Sequence, residues 1–306
     1  MKYGFIQAQQ KAYPVTALCK VMQVSRSAYY AWAKRPEATG KDKERQRLEQ
    51  RAAQIFEESK CTYGSRRLSR ALKKAGFAAG RHQTRSVMAK LNLQPRYPKR
   101  FRVTTDSNHG EPVSPNLLDR QFDVAAPNQV WTTDITYVWT LEGWLYVAIV
   151  VDLFSRQVVG WATAGHMRAS LCVQALHMAF WRRKPAAGLL HHSDRGSQYA
   201  SAEYRGHLEA MGMRQSMSRK GNCWDNSPTE RVFRSLKHEQ LNDEKFASRD
   251  QAKLSVIDYL AFYNGRRSHS KLGYKTPLEF EREYYTRLWP FSVKQGNRSR
   301  STIPGW

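Results

Sequence analysis

VWTTDITYVW (residues 130 to 139) is followed, after a short Glu142-Gly143 turn, by LYVAIVVDLFSRQVVGW (residues 145 to 161). β-Branched and aromatic residues fill both stretches, which suits pleated backbone and suggests three antiparallel strands in sequence. Working outward, a helix is expected at about 169 to 183, then a short strand, GLLHHSD (188 to 194). A helix with Ala200, Tyr204, Leu208 and Met211 on one face follows and stops at Gly212. RQSMS (214 to 218) reads as a fifth strand, and helices at about 227 to 241 and 249 to 264 complete the set.

The order βββαβαβαα is that of an α/β, ribonuclease H-like domain, a five-stranded sheet with flanking helices. The front third reads differently. Its apolar residues recur at helical spacing, and β-branched alternation is absent until about residue 129. PVTALCKVMQVSRSAYYAWAKRP (14 to 36) has the outline of a helix-turn-helix: a break at Val24-Ser25, then a helix offering Arg26 and Ser27 at its start. After a charged helix (about 42 to 59), SRRLSRALKKAG (65 to 76) closes on Gly76. RHQTRSVMAKLNL (81 to 93) then opens with Arg81, His82, Gln83 and Arg85. Each segment alone fits a plain helical bundle with a basic face; two in succession favour DNA binding. The expected division is a helix-turn-helix-like segment at 1 to 40, a second such domain at 41 to 100, a proline-rich linker at 101 to 125, the sheet domain at 126 to 285 and a tail at 286 to 306. The basic stretch from Arg96 to Arg102 could track phosphates or merely connect.

Fifty Lys and Arg against 26 Asp and Glu give 306 residues a net charge of +24. Such a surface repels itself unless polyanions screen it, which points to nucleic acid. An anionic membrane is the rival partner, and it weakens on length: the longest apolar run, near LYVAIVV (145 to 151), is far short of the roughly 18 residues a spanning helix requires. No signal-peptide core opens the chain. Four cysteines, Cys19, Cys61, Cys172 and Cys223, lie far apart with no C-x-x-C, which argues for a reducing, cytoplasmic setting.

A basic protein with this sheet invites a search for clustered carboxylates, because two-metal phosphoryl transfer needs hard oxygen ligands. Asp134 interrupts a neutral strand, Asp194 closes the fourth strand, and Glu230 starts the following helix. Val232, Phe233 and Leu236 form one face of that helix, while Glu230, Arg234 and Lys237 fall on the other. Each acid has a plainer reading. Asp134 could be a hydrogen-bonded core residue, Asp194 a turn cap, and Glu230 the third-position acid of a capping box with Ser227 as N-cap. Three acids at one edge are harder to explain structurally, since like charges repel unless a cation is present.

Asp152 is the main decoy, expected to be structural or supporting. Asp225 reads as a loop residue, Glu239 as an exposed partner for a base, and His191 and His192 as satisfied strand histidines. SMSRKGNCWDNSP (216 to 228) suits a mobile lid over a phosphodiester, with Arg219, Lys220 and Asn222 as DNA contacts. Lys237 could hold a phosphate. Arg266, Arg267, His269 and Lys271 belong either to a packed helix or to the DNA path.

At these residues the chain resembles the orfB-type transposases of the IS-3 group of bacterial insertion sequences, relatives of retroviral integrases. The phrases that carry the resemblance are YPVTALCKVMQVSRSAYYAW, PNQVWTTDITYV, EGWLYVAIVVDLFSRQVVGW, HHSDRGSQYAS, SMSRKGNCWDNSPTE and FYNGRRSHSKLGYKTPLEFE. The resemblance implies an integrase catalytic core of mixed sheet, a DDE triad of Asp134, Asp194 and Glu230 binding two Mg²⁺ (with Mn²⁺ as substitute), and Lys237 as the basic residue seven positions on. It implies element-end DNA with terminal inverted repeats and target DNA as substrates, joined through a circular intermediate. It implies a homo-oligomer, and the upstream-frame helix-turn-helix protein, or a fusion to it, as a further partner. The zinc module of retroviral integrases has no counterpart here. The expected place of action is the cytoplasm of a bacterium, at the nucleoid. Two rival readings are a metal-dependent nuclease of the same fold without strand transfer and a non-catalytic DNA-binding regulator.

Overall fold

The computed structural model describes residues 2–34, 40–96, 112–220 and 222–288. The first part of the expected linker with residues 97–102 of its basic stretch, Gly221, and the tail beyond Leu288 lie outside the described residues. Contacts gather the chain into two compact units, Met1–Gln54 and Ile55–Trp306.

The first unit holds α1 (Lys2–Gln9), α2 (Val15–Val21) and α3 (Arg26–Ala33). They close on Ile6, Leu18, Cys19 and Tyr29, with Tyr3 stacked on Trp32. Ser25 makes the break before α3: its Oγ accepts from Ala28 N at 3.1 Å, satisfying one of the helix's orphan donors. α4 (Gly40–Glu58) runs from this unit into the next.

The second unit begins with the end of α4, then α5 (Ser65–Lys74) and α6 (Arg81–Lys90). Gly76 closes the turn after α5 at φ +87°, a conformation that favours glycine. These helices share a unit with the sheet. Lys60 pairs with Asp258 at 2.5 Å, Lys74 with Glu279 at 3.0 Å, and Ser268 N donates to the Tyr63 hydroxyl at 2.8 Å.

The sheet comprises β1 (Val130–Thr140), β2 (Gly143–Asp152), β3 (Val158–Ala164), β4 (Leu190–Ser193) and β5 (Arg214–Met217), in the order β3-β2-β1-β4-β5. β1 is antiparallel to β2, β2 to β3, and β4 runs parallel to both β1 and β5. α7 (Ala169–Arg183), α8 (Ser197–Ala200) and α9 (Ala202–Ala210) contribute to the core on one face; α10 (Ser227–Glu239) and α11 (Arg249–Gly265) contribute to the core on the other. The two-residue period of a strand explains how one strand serves both cores: Ala148 and Val150 join the first, Leu145, Val147, Ile149 and Val151 the second. α7 lies close on β3 at Gly160, where a Cβ would stand 2.3 Å from Ala175 O.

Three details depart from expectation. The helix expected to run through Ala200 to Met211 breaks at Ser201, whose extended backbone separates α8 from α9 and whose Oγ accepts from Tyr204 N. α12 (Pro277–Leu288) crosses the expected start of the tail, and its Phe280 and Tyr284 rings pack on Phe154. The second half of the linker lies against β5: Leu117 N donates to Ser216 Oγ at 2.9 Å, Ser114 Oγ donates to Gln215 Oε1 at 2.7 Å, and Leu118 is buried.

Candidate active site

β1 and β4 pair over only three residues, Val130–Thr132 against Leu190–His192. Just beyond, a side chain takes over on β1: Asn226 Nδ2 donates to Thr133 O at 3.0 Å. Asp134 is the next residue, half-buried, and Asp194 is the first residue after β4. Each is oriented by neighbouring backbone. Ile135 N donates to Asp134 Oδ1 at 2.8 Å, and Gly196 N to Asp194 Oδ1 at 2.9 Å. A Cβ on Gly196 would stand 3.0 Å from that same Asp194 oxygen, so a bare glycine keeps the turn tight.

Glu230 lies in the first turn of α10, half-buried. The capping box expected for it is not formed: α10 starts at Ser227, Asn226 takes the N-cap position, and no side chain there makes a cap hydrogen bond. A buried polar clasp holds the helix start instead. Thr229 Oγ1 lies 2.6 Å from Thr132 Oγ1 and 3.0 Å from Asn226 Oδ1, and all three residues are buried. The clasp joins the residue before Glu230 to the residue two before Asp134, so the two carboxylates are registered to one another through well-packed bonds.

The charges feel one another. Burial, and then the neighbouring Asp194, pushes the Asp134 carboxyl well above the usual carboxylate range; Glu230 adds to the rise, while the Ile135 N–H and Lys237 oppose it. Glu230 is raised as well, by burial first, with Asp194 adding and Arg234 opposing. Lys237 is lowered by burial, with Asp134 pulling the other way, and its ammonium lies 4.8 Å from the centroid of the Tyr137 ring. Asp134, Asp194, Glu230 and Lys237 are thus brought into one electrostatic neighbourhood. Among the described residues, no three His, Cys, Asp or Glu side chains form a ready metal cage.

Among the described residues of the 216–228 loop, Arg219, Asn222 and Asp225 are held by hydrogen bonds. Asp225, read from sequence as an ordinary loop residue, is fully buried and accepts from Arg219 N at 3.0 Å, Arg219 Nε at 2.9 Å, Arg120 Nε at 2.8 Å and Asn116 Nδ2 at 3.1 Å. The Arg219 hydrogen bonds hold its carboxyl far below the usual range. Arg219 is therefore engaged inside the loop, and Asn222 Oδ1 accepts from Arg120 Nη2 at 3.0 Å and Trp224 N at 3.2 Å. Lys220 is exposed.

Asp152, the buried last residue of β2, accepts from Asn128 N at 2.7 Å and from Ser155 N at 3.0 Å in the turn that follows, a structural role. His191 bonds the Tyr204 hydroxyl at 2.7 Å and His192 lies between Ser216 and Ser218. Burial lowers them to about 3 and about 4, so both stay neutral. Glu239, expected to be exposed, is buried and grips Arg267 through two 2.6 Å bonds. On α6, Arg81, His82, Gln83 and Arg85 are exposed while Thr84, Val87 and Met88 face inward; in the first unit, Arg26 is exposed at the start of α3.

This fold defines an integrase catalytic core. Sequence models of the integrase core domain match residues 124–223 and 211–277, and a helix-turn-helix-like domain matches residues 43–101. The chain belongs to the IS3 family of insertion-sequence transposases. It is 43% identical to the insertion element IS600 uncharacterized 31 kDa protein of Shigella sonnei, over 88% of this chain and 98% of that one. It is 39% identical to transposase InsF for insertion sequence IS3A of Escherichia coli strain K12, over 92% and 98%. The HTLV-2 integrase catalytic core domain, solved in complex with magnesium in a trimeric form, matches at 17% identity over 51% of this chain and 97% of its own, with a TM-score of 0.41.

Proposed function

We propose that this chain binds the ends of an insertion sequence, cleaves there to free a 3′-OH, and transfers that end to a second phosphodiester, with Asp134, Asp194 and Glu230 as its catalytic carboxylates. The observation that carries this reading is the placement of three acids on β1, directly after β4 and in the first turn of α10, with the Thr132–Thr229 bond tying the first element to the last. Folding gathers like charges at a cost that protons or cations must offset. Three hard oxygen donors beside a lysine suit Mg²⁺, which usually takes one or two carboxylates and completes its shell with water and substrate phosphate. Two Mg²⁺ ions, or Mn²⁺ in their place, held by these carboxylates would supply Lewis-acid polarisation and charge neutralisation for in-line displacement at phosphorus.

The chain's own residues position the rest. The backbone N–H groups of Ile135 and Gly196 fix the two aspartates, and the Thr132–Thr229–Asn226 clasp fixes the helix that carries Glu230. Lys237 is set to hold a non-bridging phosphate oxygen. In cleavage, a water oxygen bonds to phosphorus and the bond to the 3′ oxygen breaks. In transfer, the freed 3′-OH oxygen bonds to phosphorus in the second DNA and displaces its 3′ oxygen. No covalent link to the protein is needed. The substrates are the element's terminal repeats and target DNA in the bacterial cytoplasm, and holding two ends at once calls for a homo-oligomer, with the upstream-frame protein or fusion as a further partner.

The test is strand transfer on pre-cut end DNA with Mg²⁺. Joined products are expected; hydrolysis without joining would reduce the protein to a nuclease, and no reaction to a DNA-binding regulator. The exposed Arg81 and Arg85 of α6 are read as phosphate contacts. Replacing either with Ala should weaken DNA binding across sequences and flatten the slope of log affinity against log salt by about 1. An unchanged slope, measured by fluorescence anisotropy, would remove them from the interface.

A further inference from the structure

Beyond the acids, β1 and β2 carry a tile of aromatic rings that the proposed chemistry does not use. Trp139 pairs across the strands with Trp144, and Tyr137 with Tyr146, so four rings share one face of the hairpin. Trp144 meets Trp139 at a centroid distance of 4.7 Å and Tyr137 at 4.9 Å, both near-perpendicular. Large rings normally seek burial, yet Trp139 is 57% and Trp144 42% exposed.

The tile is braced at its tip, and Lys237 connects it to the acid site, since Asp134 lies three residues away on β1 and alternation puts its side chain on the other face of the sheet. Thr140 Oγ1 donates to Gly143 O at 2.7 Å in the turn, and Leu141 N donates to Phe246 O at 3.0 Å, bracing the tip. At the inner end, the Lys237 ammonium that feels Asp134 lies over the Tyr137 ring. At the outer end, Arg249 Nε donates to Trp144 O at 3.1 Å, and Glu142 accepts from Arg249 N at 2.8 Å. A row of rings between a lysine and an arginine, on a chain of net charge +24, complements a polyanion with flat apolar bases; a second copy of so basic a chain would bring like charge to the same face. Bases inside a duplex have both faces covered by neighbouring pairs, so a row of several rings finds successive open base faces only along an unpaired strand.

We propose that Tyr137, Trp139 and Trp144 form a stacking shelf for unpaired bases of a single-stranded DNA segment next to the bond that reacts. This rests on the reading of the acids as the catalytic site. Binding without any metal separates the two. The wild-type protein and Trp139→Ala, Trp144→Ala and Trp144→Phe variants would be titrated in chelator with a duplex carrying a short single-stranded tail and with the same duplex blunt-ended. A fluorescent adenine analogue in the tail reports stacking.

Each alanine variant should lose about 5- to 150-fold in affinity for the tailed DNA, the range one stacked base contributes, and should lose quenching of the analogue. Trp144→Phe should keep most of both, and blunt-duplex affinity should hold in all three. Equal losses on both DNAs, or none on the tailed one, would overturn the shelf. So would sedimentation showing that the alanine variants dissociate a wild-type dimer, which would make the tile a contact between copies. Unchanged blunt-duplex binding also reports that the variants are folded. Any of these outcomes leaves the carboxylate reading standing, because that is judged by metal-dependent cleavage.

Discussion

Asp134→Asn, Asp194→Asn and Glu230→Gln are each expected to abolish cleavage and strand transfer while leaving DNA affinity within about twofold of wild type, since phosphate contacts elsewhere carry most of the binding. Amides keep the shape of the acids and their contacts, so loss of activity in a folded, DNA-binding protein can be assigned to lost charge and lost metal affinity. The same variants carry a second, independent signature. Asp134 and Glu230 are both raised above the ordinary carboxylate range in the folded chain, so their ionised forms weaken folding. Below the ordinary carboxylate range folded and unfolded chains are both protonated and the cost vanishes; it grows as pH rises toward the raised folded values. In chelator at neutral pH, Asp134→Asn should therefore melt above wild type, with the gap closing in acid. In Mg²⁺ the wild type should recover, and the variant, with two of the three carboxylates left, should gain less. A variant that still cleaves, or a melting gap that is absent at neutral pH, would remove Asp134 from a mutually repelling set.

The parts of this protein that were legible in the sequence are those set by local pattern. β-Branched and aromatic content gave β1 and β2, Ser25 gave the break before α3, and an acid interrupting the neutral strand 130–139 marked Asp134 as a candidate. The parts that were not legible depend on partners far along the chain. Asp225 looks like a loop residue until Arg120, 105 positions away, is folded onto it. Glu239 occupies an ordinary helix position, and only the chain's return at Arg267 explains why a charge can be buried there. The capping box at Ser227 was locally plausible, but tertiary bonds from Thr132 and Thr133 to Thr229 and Asn226 moved the helix start under other control. Pattern thus nominated the candidate acids; the polar clasp that ties β1 to the start of α10 had no periodic signature.

The Glu239–Arg267 pair leads to the second large effect, on folding rather than chemistry. Glu239 accepts two 2.6 Å bonds from Arg267 and a 2.8 Å bond from the Tyr259 hydroxyl, and both members of the ion pair are buried. Burial alone would lower the Arg267 pKa, and the Glu239 bond reverses it. Removing the acid leaves a buried guanidinium with Arg67 as a further positive neighbour. Breaking a buried pair in this way costs about 3–5 kcal/mol. At about 2–4 °C per kcal/mol, Glu239→Leu should lower Tm by roughly 6–20 °C. The partner change Arg267→Met made in the same chain should restore much of the loss, because a well-packed apolar pair avoids the desolvation of both charges. Since α10 carries both Glu239 and Glu230, the single variant should also lower cleavage more steeply with temperature than wild type. A Glu239→Leu protein with wild-type Tm, or a double variant no better than the single one, would show that the pair does not anchor the C-terminal end of α10.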